Sequence, residues 1–256
     1  MIAAIVQARM GSTRLPGKTL ADVAGRPMLA RLVERARRIP GVERAIIATT
    51  QKPADEAILR FAADHDLPAY AGSEEDVLDR FYQAACRFGV SVVVRVTPDC
   101  PLLDPRVSGL VVARFVEARG AVDYASNTQP PTFPDGLDTE VFSFAVLARA
   151  WREATVPSER EHVTAYIWKH PELFHLLNVA HDPDLSGRRW TVDEPADLEF
   201  VRAIYSRLGE TFGVDDVLEL LRRHPDLEAV NRGTARNAGY AKSVRADRVF
   251  TGPRRT

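Results

Sequence analysis

Cysteine is scarce: Cys86 and Cys100 are the only two in 256 residues, and neither belongs to a C-x-x-C or Cys/His cluster. That excludes a disulfide framework and a structural zinc site, and a reducing, cytoplasmic setting is expected. Net charge is equally scarce, since 34 Lys and Arg stand against 35 Asp and Glu for a formal −1. With no basic excess there is no global field for nucleic acid or an anionic membrane, so neither is expected as a partner. Long apolar runs are missing too. The opening stretch, Met1 to Val6, has no basic region before it and is too short for a signal peptide or a membrane span. Neither the dinucleotide fingerprint G-x-G-x-x-G nor the P-loop pattern occurs in the first loop, and there is no internal repeat. What is present is 45% hydrophobic residues, enough at this length for a sizeable core that folds without staples.

Residues 2–6, 45–49 and 90–96 are short and rich in β-branched side chains, as buried strands are, and residues 68–71 add a brief fourth. Between them, residues 28–39, 54–65 and 77–88 space their apolar side chains at three and four, which predicts helices with one buried face. The alternation predicts an α/β fold with a mostly parallel sheet flanked by helices. Ligands of such sheets sit at the carboxyl ends of strands, and the loops there are residues 8–18 and 97–105. Past Asp123 the spacing predicts a strand at 124–127, an irregular excursion at 128–138 and a helix at 159–169 with Ser158 and Glu161 as a capping box. Strands are expected at 174–179 and 190–192, and helices at 195–208 and 214–223. From Asn231 onward the chain is polar and basic without periodicity.

The first loop, Ala8-Arg9-Met10-Gly11-Ser12-Thr13-Arg14-Leu15-Pro16-Gly17-Lys18, places two glycines and three cations directly after a strand. Glycine lets backbone approach a ligand, and Arg9, Arg14 and Lys18 suit a polyphosphate; a basic surface turn is the alternative. A second motif, Arg95-Val96-Thr97-Pro98-Asp99-Cys100-Pro101, sets Asp99 at a strand end, either as a Mg²⁺ ligand or as a turn former. A third, Trp190-Thr191-Val192-Asp193-Glu194-Pro195-Ala196-Asp197-Leu198, is a short strand ending in acids that open a helix, which on residues alone reads as helix capping. Gly72-Ser73-Glu74-Glu75-Asp76-Val77-Leu78-Asp79-Arg80 follows the brief fourth strand and reads as an acid-rich helix start. Two strings of the irregular second half are dense in charge: Asp135-Gly136-Leu137-Asp138-Thr139-Glu140-Val141 and Ser158-Glu159-Arg160-Glu161-His162-Val163. Each reads as a binding loop or as solvated turns and caps.

ARMGSTRLPGK resembles the signature loop of the nucleotidyltransferases that activate sugars and sugar acids, in particular the cytidylyltransferases for 3-deoxy-manno-octulosonate and sialic-acid-like sugars. T-x-P-D-G-L-D-x-E and S-E-R-E-H-V-T resemble strings of their spore-coat polysaccharide relatives. The resemblance implies a three-layer α/β/α nucleotidyltransferase fold, Rossmann-like and similar to nucleotide-diphospho-sugar transferases. It spans residues 1–243, with a nucleotide-binding half at 1–122, an acceptor-binding and dimerisation half at 123–230, and a polar tail at 244–256. It further implies transfer of CMP from CTP to a sugar or sugar acid in polysaccharide or glycan precursor synthesis, with Mg²⁺ as cofactor and a homodimer as assembly.

By that resemblance Ala8, Arg9, Gly11, Ser12, Arg14 and Lys18 hold the nucleotide, with Gly72, Ser73 and Arg80 near the base. Asp99 and Asp193 are the metal ligands, so Arg9, Lys18, Asp99 and Asp193 form the catalytic set. Pro98 departs from the family pattern, which has glycine there. Asn127, Asp138, Glu140, Arg160 and His162 are the acceptor-side residues; His162 is also a candidate general base or a structural histidine. Two other functions keep the same residues. A glycosyltransferase of this fold would usually carry D-x-D, of which Thr97-Pro98-Asp99-Cys100 supplies one acid. A non-catalytic nucleotide-binding subunit would not need Asp99 and Asp193 together.

Overall fold

A computed structural model describes residues 1–231, 236 and 238–247 of the chain. Its first half contains β1 (Ile2–Gln7), the small hairpin of β2 (Asp22–Val23) and β3 (Arg26–Pro27), α1 (Met28–Arg37), β4 (Arg44–Thr50), α2 (Glu56–Asp64), β5 (Ala69–Gly72), α3 (Val77–Phe88), β6 (Val92–Val96) and α4 (Pro105–Glu117). The second half contains β7 (Tyr124–Ser126), β8 (Glu140–Ser143), α5 (Phe144–Glu153), α6 (Pro157–Glu161), α7 (Ala165–Lys169), β9 (Leu176–Asn178), α8 (Pro195–Leu208), α9 (Val214–Arg223), α10 (Pro225–Ala229) and α11 (Ala238–Asp247).

Seven strands form one sheet in the order β5-β4-β1-β6-β8-β7-β9, and within it only β8 runs against the others. The expected mostly parallel sheet is therefore present. Side chains alternate across it as a pleated strand requires. Ala4 and Val6 of β1 join Leu29 and Leu32 of α1, Phe61 of α2 and Val111 of α4 on one face. Ala3 and Ile5 face the opposite way, onto Leu78 and Phe81 of α3 and Leu147 of α5. Helices on both faces make the three layers α/β/α. A further apolar cluster, with Trp190, Phe200, Val201 and Leu221, seats α8 and α9 beyond the sheet and carries the acidic segment at Asp193.

Several local expectations change. Residues 159–169 form two short helices because Val163 has a φ of 52° between them. Val156 is the N-cap of α6, while Ser158 is buried inside it, so the capping box at Ser158 and Glu161 is absent. Residues 190–192 are not a strand; they lie extended beside the Asp99 loop, joined by the Val192 N–H to the Asp99 carbonyl at 2.8 Å. Sequence spacing missed α4, β8 and α5. In α4, Gly109 breaks the apolar pattern because Pro40 would lie 2.7 Å from any Cβ placed there. Finally, α11 runs past residue 244, where the polar tail was expected to begin; residues 248–256 lie outside the described set. Among the described residues, no helix is long and apolar enough to cross a membrane.

Candidate active site

The loops leaving β1 and β6 open into a cavity of about 1040 Å³. The first of these is tightly built. Gly17 takes a φ of 73°, a left-handed conformation that costs a side-chain-bearing residue energy, and its N–H returns to the Met10 carbonyl at 3.3 Å. The Thr19 hydroxyl donates to the Arg9 carbonyl at 2.7 Å. Asp55, buried at the start of α2, accepts the Met10 N–H at 2.6 Å and also the Thr50 hydroxyl, so β4 braces the loop from below. Sequence reading overlooked Asp55, whose only visible mark is its place ahead of a helix. Nothing lies within 4 Å of a Cβ built on Gly11, and that residue lines the open cavity.

Lys18 points between the two distant acids. Its ammonium lies 3.0 Å from Asp193 Oδ1, 3.7 Å from Asp99 Oδ2 and 2.7 Å from the Val192 carbonyl, with 12% of the side chain exposed. The two carboxylates are brought together by hydrogen bonds between their loops: the Asp99 carbonyl accepts from the Val192 N–H at 2.8 Å and from the Thr191 hydroxyl at 3.1 Å. Pro98 has not prevented this approach. Arg14 closes on the same carboxylate, 2.8 Å from Asp193. Desolvation alone would raise the Asp193 pKa, but Lys18, Arg14 and Arg189 outweigh it and hold the carboxyl below its ordinary value. Arg9 is 51% exposed, and its nearest acid is Glu74 at 3.9 Å.

Arg189 went unnoticed in the sequence because its partners are set by folding. Its guanidinium holds Asp197 through two 2.9 Å bonds and reaches Asp193 at 3.2 Å and Asp135 at 3.4 Å. Asp197 also accepts the N–H groups of Asp193 and Glu194 at 2.9 Å each, in a capping box that starts α8. The capping and ligation readings of this segment thus fall on different residues: Asp197 caps, while Asp193 faces the cavity.

The base-side residues divide. Arg80 lines the cavity, 2% exposed, with its Nε unpartnered among the described residues. Burial chiefly, with Arg9 nearby, pushes its guanidinium down to about 10. Gly72 and Ser73 do not line the cavity. Gly72 is set beneath the Tyr70 ring, and the Ser73 hydroxyl accepts the N–H of Asp76, the residue that caps α3, at 3.0 Å.

The acceptor-side residues divide as well. Asn127 is fully buried; its amide donates to the Leu137 carbonyl at 2.8 Å and accepts the Thr139 N–H at 2.9 Å, so it ties β7 to β8 and is not a cavity residue. Glu140 reaches the cavity wall with both oxygens taken: Tyr124 donates at 2.5 Å, Thr164 at 2.6 Å, and Arg95 forms an ion pair. Arg160 lines the wall but is committed to Asp76, at 2.5 Å, and to the Trp151 carbonyl. It joins α6 to the start of α3. Asp138 faces the cavity with 28% of its side chain exposed and pairs with Arg236; burial pushes it up to about 7, against the opposing pull of Arg236. His162 Nε2 meets the Ser243 hydroxyl at 2.9 Å, and burial lowers its pKa, keeping the ring neutral near pH 7.

Two carboxylates converging on one cation, beside a loop that carries Arg9 and Arg14, form a donor set suited to a divalent ion bound together with phosphate oxygens. Comparison with known proteins agrees with a nucleotide-handling site. The cytidylyltransferase family profile matches residues 3–208. The chain is 34% identical over 239 residues to an uncharacterized protein of Methanocaldococcus jannaschii, covering 90% of this chain and 94% of that one. It is 32% identical over 231 residues to the spore coat polysaccharide biosynthesis protein SpsF of Bacillus subtilis, covering 87% and 94%. To the 3-deoxy-manno-octulosonate cytidylyltransferase of Geobacter sulfurreducens it is 34% identical over 116 residues, 45% of this chain and 46% of that one. Among solved structures, a cytidylyltransferase from Leptospira borgpetersenii superposes with a TM-score of 0.86 at 29% identity, covering 92% of this chain and 99% of the other. CMP:2-keto-3-deoxy-manno-octonic acid synthetase, complexed with CTP, shares the fold with a TM-score of 0.60 at 20% identity, covering 80% and 98%. The chain belongs to the cytidylyltransferase family and is a nucleotidyltransferase.

Proposed function

We propose that the enzyme transfers CMP from CTP to an oxygen of a sugar or sugar-acid acceptor, with release of pyrophosphate, in the synthesis of a surface polysaccharide or glycan precursor. The observation that carries this reading is the meeting of Asp99 and Asp193 at Lys18, on the floor of a cavity whose rim holds Arg9 and Arg14. CTP use and a sugar-acid acceptor are supported by the names of the relatives: 3-deoxy-manno-octulosonate cytidylyltransferases, and a synthetase solved with CTP.

Phosphoryl-group transfer asks for placement and charge neutralisation more than for covalent help from the protein. The acceptor oxygen forms a bond to the α-phosphorus as the bond from that phosphorus to the oxygen it shares with the β-phosphorus breaks; pyrophosphate departs, and the proton of an acceptor hydroxyl passes to water. Arg9, Arg14 and Lys18 draw the triphosphate into the first loop, whose backbone can approach closely at Gly11. Arg80 lends a positive charge to the nucleotide side of the cavity it lines, and Asp138 and His162 orient the acceptor. Asp99 and Asp193 would hold Mg²⁺, which when bound neutralises phosphate oxygens and polarises the reacting phosphorus. Arg189 keeps Asp193 turned toward the cavity.

Incubation with CTP, Mg²⁺ and a panel of sugars and sugar acids, followed by pyrophosphate release and product mass, tests the reaction. Asp99→Asn and Asp193→Asn should each lower turnover by a factor on the order of 10² or more. Unchanged turnover in both variants would sink the two-carboxylate assignment.

A further inference from the structure

The cytidylyltransferase match ends at residue 208, yet the chain returns to the cavity well beyond it. Arg236 pairs with Asp138, lies 3.8 Å from Asp135 and donates to the Phe133 carbonyl at 3.2 Å. Two turns of α11 then cross the acceptor-side wall. The Tyr240 ring lines the cavity, with its centroid 5.1 Å from His162 at 87° and 5.2 Å from Trp168 at 67°; those two side chains line it as well. Below Tyr240, Ser243 stands between His162 Nε2, at 2.9 Å, and Glu161, to which it donates at 2.6 Å. The Asp247 carboxylate accepts the Ser158 N–H at 2.9 Å, fixing the far end of the helix to α6.

We propose that this C-terminal segment completes the acceptor subsite, with Tyr240, Trp168 and His162 receiving the C–H face of a pyranose ring and Arg236 holding Asp138 in place to accept its hydroxyls. The proposal rests on the sugar-acceptor reading above. Three rings meet in one corner of a cavity otherwise lined mainly by charged and hydroxyl groups. A phosphate has no use for such a corner. Aromatic faces carry negative potential and attract the slightly positive C–H groups of a sugar face, while carboxylates on the rim suit its hydroxyls. The T-shaped packing of Tyr240 against both neighbours fixes the ring's tilt, so little freedom is lost on binding. Arg236 touches Asp138 instead of the cavity and acts through it: without Arg236, Asp138 has no described ion-pair partner to fix its rotamer.

The test uses the full chain and the variants Tyr240→Ala, Tyr240→Leu, Tyr240→Phe, Arg236→Ala and Arg236→Lys. Binding of 3-deoxy-manno-octulosonate and of mannose is followed by ligand-observed NMR in EDTA, where transfer is arrested, and CTP binding by calorimetry in parallel. Tyr240→Ala should weaken binding of whichever sugar the wild type takes by tenfold or more, with the CTP constant within twofold. Tyr240→Leu keeps apolar bulk for folding but loses the ring, and should behave as Ala does; Tyr240→Phe should stay near wild type. Arg236→Ala should raise the acceptor KM three- to tenfold in the assay with Mg²⁺, with partial rescue by Lys. Unchanged sugar binding in Tyr240→Leu overturns the proposal, as does an equal loss of CTP affinity, which would give the ring to the nucleotide. A wild type that binds CTP but neither sugar overturns the acceptor reading together with it, so the two failures are separable.

Discussion

Replacing Lys18 by Met removes the only cation that touches both acids among the described residues. At 3.0 and 3.7 Å, and with an effective dielectric constant of about 20, its gross attraction to Asp193 and Asp99 is about 5.5 and 4.5 kcal/mol. Most of that repays desolvation, and breaking a buried pair costs about 3–5 kcal/mol net. The two acids keep 21% and 27% exposure, and Asp193 retains Arg14 and Arg189, so the loss should be nearer 2–3 kcal/mol. In a chain of this size each kcal/mol lowers Tm by about 2–4 °C. Thermal unfolding in EDTA should therefore show a drop of about 4–12 °C. A divalent ion should then restore what Lys18 supplied: titrating Mn²⁺ without nucleotide should raise the Tm of Lys18→Met more than that of the wild type, where the ammonium already lies between the carboxylates. At a metal concentration one hundred times its dissociation constant the recovery is about 2.7 kcal/mol. CTP affinity should fall in the same variant. An EDTA Tm equal to that of the wild type, or equal Mn²⁺ increments in the two proteins, would refute the reasoning.

Arg189→Met should lower metal-dependent turnover by about 10–100-fold, as loss of an outer partner does, and should destabilise the fold by leaving Asp197 buried without its guanidinium; kinetics with Mn²⁺ titration separates the two effects. Asp138 titrates at about 7 in the folded chain, above its ordinary value. The folded state therefore binds more protons than the unfolded one between about pH 4 and 7, and this group's contribution to stability is present below about pH 4 and lost as pH rises through 7. The Tm of Asp138→Asn minus that of the wild type should accordingly grow more positive from pH 5 to pH 8, and a difference independent of pH would contradict the assignment. Gly17→Ala places a Cβ at a φ of 73° and should cost about 1 kcal/mol, read as a shift in urea midpoint at constant slope.

The nucleotide half was legible because its signals are local. A strand of β-branched residues, a turn with glycine and a helix with one apolar face each declare themselves within a dozen residues, and β1, α1, β4 and α3 lie close to their expected places. The second half hides behind burial and interruption. The first two residues of β8, Glu140 and Val141, sit inside a string that reads as a charged loop, because a buried glutamate carries no local mark of burial; Tyr124, Thr164 and Arg95 make that burial tolerable. Residues 159–169 carry one helical rhythm, broken by a backbone angle at Val163 that the sequence does not announce.

The candidate residues divide on the same physical line. A side chain can be recognised as chemically apt from its type and its position at a strand end, which is how Lys18, Asp99 and Asp193 were found. Whether it is free to act depends on partners brought in from elsewhere in the chain. Asn127, Glu140 and Arg160 have apt chemistry, but Thr139, Tyr124 and Asp76 already occupy it, and a carboxylate or amide whose hydrogen bonds are filled in the folded state has little left to offer a ligand. Arg189 shows the converse. It stands outside every motif, yet its hold on Asp197 and Asp193 fixes both the start of α8 and the direction of the second acid. An active site assembled from two distant loops needs such a residue, because hydrogen bonds between loop backbones bring the acids near one another but do not choose which way a carboxylate turns.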